Sequence, residues 1–172
     1  MRVLEVPISN RNHAARLDYL LTITNLLCMI SVRKLLAGKR RNIIYTLRPE
    51  NTVIEALELM EMANIGAVMV LDGGQLVGVF SERDYARQGI IKGRKAKSTP
   101  LSVVMRPNPA TVTPDMDIDD CMELFTNQYV RYLPVLENGK VIGLLSIGDI
   151  VSAIMQEQNQ HISFLDRYIS GG

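Results

Sequence analysis

The sequence has no tryptophan, two cysteines and two histidines, and only 5% of its 172 residues are aromatic. Cys28 and Cys121 stand far apart and outside any motif, which excludes a disulfide framework and a zinc knuckle and fits a reducing cytoplasm. His13 and His161 lie near opposite ends, so the chain shows no His/Cys/Asp/Glu cluster at metal-ligand spacing, no nucleophile elbow and no general base poised near neutrality. Net charge is as scarce. The 19 Lys plus Arg against 18 Asp plus Glu leave +1, too little to gather nucleic acid or anionic lipid, and the basic run KGRKAK at 92–97 reads as a solvated loop. Long apolar runs are missing too. The stretch LDYLLTITNLLCMISV at 17–32 is broken by Asp18, Thr22, Thr24 and Asn25, falls short of the roughly 20 residues of a spanning helix, and lacks the A-x-A site of a signal peptide. These absences argue against an enzyme, a membrane protein and a nucleic-acid binder. The 47% hydrophobic content still provides for a core.

What is present is a duplication. A shift of 65 positions aligns Thr46 with Thr111, Pro49 with Pro114, Glu58 with Glu123, Leu59 with Leu124 and Val70 with Val135. Without a gap it continues through Leu71 and Leu136, Gly74 and Gly139, Gly78 and Gly143, Ser81 and Ser146, and Asp84 and Asp149. One supersecondary unit therefore occurs twice, and two copies are too few for a solenoid.

Within a unit the periods are legible. NIIYTL (42–47) predicts a strand, and Val53, Ala56, Leu57 and Met60 recur at helical spacing behind the cap candidates Asn51 and Thr52. GAVMVL, the turn Asp72-Gly73-Gly74 and QLVGVF predict a hairpin, and SERDYARQGII another helix. The second copy repeats the order with ATVTP, a helix carrying Ile118, Cys121, Met122 and Phe125, then YLPVLE, Asn138-Gly139, KVIGLLS and a helix over about 147–158. Each unit is β-α-β-β-α, too small to be stable alone.

That unit, the hairpin glycines, RYLPV at 131–135 and the doubled G-x-x-S-x-x-D resemble a tandem pair of CBS domains, the Bateman module, in its small stand-alone bacterial form. The resemblance spans roughly 32–158 and includes the lead-ins SVRKLL and SVVMRPNP. It implies an α/β (α+β) fold of two pseudo-twofold-related motifs packed as one module. The expected divisions are an extension over 1–28, a first motif with lead-in over 29–95, a second motif with connector over 96–158, and a tail over 159–172. MISVRKLLAGK reads as a natural beginning, so Met29 is the expected start; the rival reading of the leader is a segment that docks on a partner. The resemblance further implies a non-enzymatic sensor that binds AMP, ADP, ATP, NAD(H) or S-adenosylmethionine, uses no catalytic cofactor, forms a homodimer and regulates a partner protein.

The heptads GVFSERD (78–84) and GLLSIGD (143–149) admit two readings. S-x-x-D is close to a helix capping box. The same geometry suits a nucleotide, because a helix N-terminus favours phosphate and a carboxylate accepts ribose hydroxyls. On the second reading Ser81 and Ser146 reach phosphate, and Asp84 and Asp149 hold ribose. Ile65, Gly66 and Ala67 in one copy, and Val130, Tyr132 and Pro134 in the other, offer an adenine slot. Thr46 and Thr113 end the first strands, where a hydroxyl could meet base or ribose. Arg83, Arg106 and Arg131 are the candidate phosphate partners. Where the first heptad has Glu82-Arg83 the second has Ile147-Gly148, with Gly148 joining the second site, and this predicts two sites of unequal charge. The alternative, from a different class, is an interaction protein that works without ligand.

Overall fold

Alternating apolar residues build two hairpins, and everything else is arranged around them. The computed structural model describes residues 30–39 and 42–170, with backbone alone from 160 onward. The 1–28 extension, the Met29 start, Cys28, His13 and the His161 side chain lie outside the described residues.

The chain opens with α1 (Val32–Gly38), then β1 (Thr46–Leu47), α2 (Val53–Ala63), and the hairpin β2 (Ala67–Asp72) and β3 (Gln75–Ser81). A one-turn α3 (Glu82–Asp84) runs into a π-helix (Tyr85–Ile90), and a connector carries α4 (Leu101–Val104) and β4 (Arg106–Pro107). The second copy has α5 (Ile118–Asn127), the hairpin β5 (Tyr132–Glu137) and β6 (Lys140–Ser146), and α6 (Ile147–Ser170). Helix α6 continues to Ser170, so residues from 159 extend a helix where the sequence suggested a tail.

The repeat is preserved in register. Sheet order is β1-β2-β3-β4 in the first half and β5-β6 in the second. The parallel pair Leu47 with Val70 is matched by the bridge of Val112 with Val135, and both hairpins shift register at the same place, between Val70 and Leu71 and between Val135 and Leu136. Both turns need a left-handed backbone: Gly73 and Gly74 at φ of 54° and 86°, Asn138 and Gly139 at 51° and 76°.

Successive strand residues face opposite ways, and both faces of each hairpin are covered. Val68, Val70 and Phe80 pack with Val53, Ala56 and Met60 of α2 in one core, while Leu133, Val135 and Leu145 pack with Ile118, Cys121 and Phe125 of α5 in another. The opposite faces meet each other. Ala67, Met69 and Val79 of the first hairpin lie against Tyr132, Val141 and Leu144 of the second, so the two halves form one body.

The lead-ins are exchanged. Helix α1 gives Val32, Leu35 and Leu36 to the core of the second half, and α4 of the connector gives Leu101 and Val104 to the core of the first. The hydrogen bonds repeat accordingly. Val53 N–H donates to the Thr99 carbonyl at 2.9 Å and Leu101 N–H to the Asn51 carbonyl at 2.8 Å; Ile118 N–H donates to the Ile30 carbonyl at 3.1 Å and Val32 N–H to the Met116 carbonyl at 2.9 Å. Packing thus crosses the sequence divisions at 95 and 96, which grouped each lead-in with the motif that follows it.

Candidate functional site

The exchange explains the glycine that opens each heptad. A β-carbon at Gly78 would collide with Met105 and come within 3.1 Å of the Arg106 carbonyl; at Gly143 it would lie 2.8 Å from Leu36 Cδ2 and 3.2 Å from Asn42 Oδ1. Backbone without a side chain lets the crossing segment lie against the strand. The crossing segments thereby reach the end of the sheet where the serines stand.

Each heptad then closes a capping box. Ser81 N–H and hydroxyl donate to Asp84 Oδ2 at 3.1 and 2.5 Å, and Ser81 Oγ accepts from Asp84 N–H at 3.3 Å. Ser146 and Asp149 repeat the pattern at 2.7, 2.7 and 3.2 Å. Both serine hydroxyls are committed to the cap, and the capping hydrogen bonds of each carboxylate fall on Oδ2. The capping reading of S-x-x-D is correct as far as it goes.

The caps also wall two clefts between the halves, and each cleft is assembled crosswise. The first joins Ser81, Arg83 and Asp84 to Val130, Arg131 and Tyr132 of the other copy and to Arg106 of the connector, around a cavity of about 30 Å³. The second joins Ser146 and Asp149 to Ile65, Gly66 and Ala67, around a cavity of about 320 Å³. The second falls in the size range of small-molecule sites, and the first is far narrower.

Electrostatics separate them further. The Arg83 guanidinium has a lowered pKa because Arg87 stands nearby, with desolvation, Arg131 and Arg106 adding to the effect and Asp84 opposing it. This is mutual repulsion among like charges. Among the described residues no cation lines the second cleft; Lys39 stands beside it, its ammonium meeting Asp149 Oδ2 at 2.8 Å and donating to the Leu144 carbonyl at 2.7 Å.

Tyr132 lines both clefts. It reaches across to Gly66, where a β-carbon would strike its hydroxyl, and the pKa of its phenol is raised by desolvation and then by Glu82. Its counterpart in the repeat is the much smaller Ala67.

Not every expected residue is gathered here. Thr46 is exposed and lines a separate depression with Asp72 and Gly73 of the hairpin turn. Thr113 is exposed and lines neither cleft, and Pro134 is buried within β5. Gly148 is exposed beside the second cap, 3.7 Å from Ser146 Oγ to its β-carbon position.

Several residues on or beside the cleft walls were missed. Asn64 and Tyr129 occupy equivalent rims, both at φ of 53°; the left-handed tolerance of asparagine, carried through the shift of 65, was the signal that could have found them. Arg87 could have been found from its place one helical turn beyond Arg83. Lys39 had no signal, because it enters only through the exchanged lead-in.

The CBS domain family model matches twice, over residues 39–89 and 101–156. The CBS domain-containing protein CBSX3, mitochondrial, of Arabidopsis thaliana is 37% identical over 128 residues, covering 72% of this chain and 62% of that protein, so the chain spans less than two thirds of its length. Among solved structures, a CBS-domain containing protein from Agrobacterium tumefaciens is 33% identical with a TM-score of 0.67 over 72% of this chain and 92% of its own. CBSX2 in complex with AMP is 28% identical with a TM-score of 0.62 over 74% and 98%.

Proposed function

This chain belongs to the CBS-domain family, and on that premise we propose that it is a non-enzymatic sensor of adenine nucleotides or related adenosyl ligands. The two clefts between its halves are the sites, with AMP, ADP, ATP, NAD(H) and S-adenosylmethionine as the ligand class. The observation that carries the reading is the crosswise assembly: each duplicated Ser-x-x-Asp cap faces the start of the other copy's hairpin strand across a cleft. The complex of CBSX2 with AMP supports the ligand class.

The chemistry suits that class. A cap fixes its aspartate before a ligand arrives, so ribose hydroxyls meet a carboxylate that loses little rotamer freedom on binding. Ile65, Gly66 and Ala67 give the second cleft an apolar floor that suits a purine face. Occupancy is passed to a regulated protein partner, and the module works as a homodimer in the cytoplasm. Exposed Met62 on α2 and Val151 and Met155 on α6 are apolar helix-face residues that support the dimer.

The test is thermal shift of the full chain with each ligand. At a hundred times its Kd a single-site ligand adds about 2.7 kcal/mol. Asp149→Ala is expected to abolish the shift that arises at the second cleft. No shift with any adenosyl compound, together with no nucleotide in acid extracts of the purified protein, refutes the reading in favour of an interaction protein that works without ligand.

A further inference from the structure

The basic run at 92–97 is solvated, as its composition suggests, but it is not loose. Ala96 packs against the first core and its carbonyl accepts from Ile54 N–H at 3.1 Å, while the Thr99 carbonyl accepts from Val53 N–H at 2.9 Å, so the start of α2 holds the run in place. Turns fold the remainder. Gly93 N–H donates to the Ile90 carbonyl and Arg94 N–H to the Gly89 carbonyl, each at 3.0 Å, and the Arg94 guanidinium donates to the Gln88 carbonyl. This scaffold leaves two kinds of side chain outside. Ile90 and Ile91, at the end of the π-helix and 61% and 79% exposed, stand directly before exposed Lys92, Lys95 and Lys97.

The net charge of +1 conceals how uneven the chain is. Residues 85–105 hold Arg87, Lys92, Arg94, Lys95 and Lys97 and no aspartate or glutamate, which leaves −4 for the rest. Among the described residues none of these five has an ion-pair partner.

Two neighbouring aliphatic side chains held in water carry an unfavourable solvation free energy, and the lysines beside them lack a counter-charge. A polynucleotide would satisfy the lysines and leave the isoleucines in water, and residues 86–97 carry no aromatic ring on which a base could stack. Protein contacts centre on tryptophan, tyrosine and arginine, and the exposed apolar pair here contains no ring. An anionic bilayer meets both needs, because aliphatic side chains enter the acyl boundary while ammonium groups stay among the headgroups.

We propose that Ile90, Ile91, Lys92, Lys95 and Lys97 form a docking surface for anionic lipid that holds the protein reversibly at a membrane face. The contact is peripheral, made by a turn and not by a spanning helix; no helix among the described residues is long and apolar enough to cross a membrane. It goes beyond the nucleotide reading and does not depend on it.

Flotation of the full chain with vesicles of phosphatidylcholine alone, and with about 30% phosphatidylserine added, tests the proposal. Binding to the anionic vesicles, none to the neutral ones, and weakening by salt are expected. Lys92→Gln, Lys95→Gln and Lys97→Gln together are expected to lower the partition coefficient about a hundredfold. Ile90→Ser with Ile91→Ser is expected to lower it at least about tenfold. Melting temperatures should hold in both variants, because all of these side chains are exposed. No flotation of the wild type at low salt overturns the proposal. Flotation that the isoleucine variant retains in full also overturns it, as does retention on RNA through the same lysines without vesicle binding, since the patch is then a general polyanion site. If the isoleucine variant turns a dimer into monomers by light scattering while the wild type ignores vesicles, a second copy covers the patch and the proposal is likewise overturned.

Discussion

Leu35→Ala tests the exchange of lead-ins. Leu35 lies in α1, ahead of the first copy, but is 6% exposed in the core of the second, with Ile118, Phe125 and Leu145 in the same cluster. Truncating a buried leucine removes its transfer free energy and leaves a cavity, at a cost of about 2–5 kcal/mol. A mid-range loss of about 3 kcal/mol, at roughly 2–4 °C per kcal/mol for a chain of this size, lowers the melting temperature by roughly 6–12 °C. The location of the loss discriminates more sharply than its size. Hydrogen exchange followed by mass spectrometry is expected to show lost protection in α5, β5 and β6, while α2, β2 and β3 keep more of theirs. Val104→Ala in α4 is the mirror experiment and should weaken the first half. If Leu35→Ala instead deprotects α2 and the first hairpin, each lead-in belongs to the motif that follows it and the exchange is refuted.

Tyr129 sits at φ of 53° with 80% of its surface exposed, so Tyr129→Gly is expected to stabilise the protein by about 1 kcal/mol by removing the left-handed penalty; urea titration showing a comparable loss would refute this. The Cys121 thiol is buried and its pKa is pushed up to about 11, from an ordinary 9.0, by desolvation and then by Asp120 and Asp117. It is therefore expected to resist a thiol reagent at pH 8 until urea is added. Its contribution to stability is full below the unfolded value and is lost as pH rises through the folded one, so stability should fall between pH 9.0 and about 11 in a way that Cys121→Ala lessens. Gly66→Ala is expected to be destabilising because its β-carbon meets the Tyr132 hydroxyl, and Tyr132→Ala should rescue it with a coupling of about 1 kcal/mol in a double-mutant cycle.

The repeat and both hairpins were legible because turn glycines and alternating apolar residues are local signals. The arginines were legible as a set for a different reason: Arg83, Arg106 and Arg131 flank motifs that the duplication superimposes. The exchange was not legible. An apolar face in VRKLL announces a buried helix but not the half that buries it. The first strand came out shorter than NIIYTL because Asn42 is drawn away to the Ile142 carbonyl of the other half, leaving Ile43 and Ile44 exposed and only Thr46 and Leu47 paired with β2. The expected helix from Ser81 exists, but after one turn it widens to a π-helix, where Gly89 packs closely on the Tyr85 ring. Apolar spacing cannot separate these two windings. Thr46 and Thr113 were drawn into the site by position along the first strands; both are exposed, and strand propensity accounts for Thr46 in β1, while Thr113 lies just outside the Val112 bridge.

The two readings of Ser-x-x-Asp are one device. A capping box must place a carboxylate beside the first turn of a helix, and it fixes that carboxylate through a single oxygen, as Asp84 and Asp149 both show on Oδ2. The remaining oxygen is then held in place without needing a ligand to order it. When such a cap stands at the end of a strand that must also let a crossing segment pass, glycine is required three residues before the serine, and the heptad follows from packing as much as from binding. Duplication alone would make two equal sites. The substitutions that break the equality, arginine for glycine at 83 and 131 and tyrosine for alanine at 132, all lie on cleft walls, and none replaces a capping serine or aspartate. The scaffold is therefore common to both copies, and what each cleft can hold is decided by side chains the caps leave free to vary.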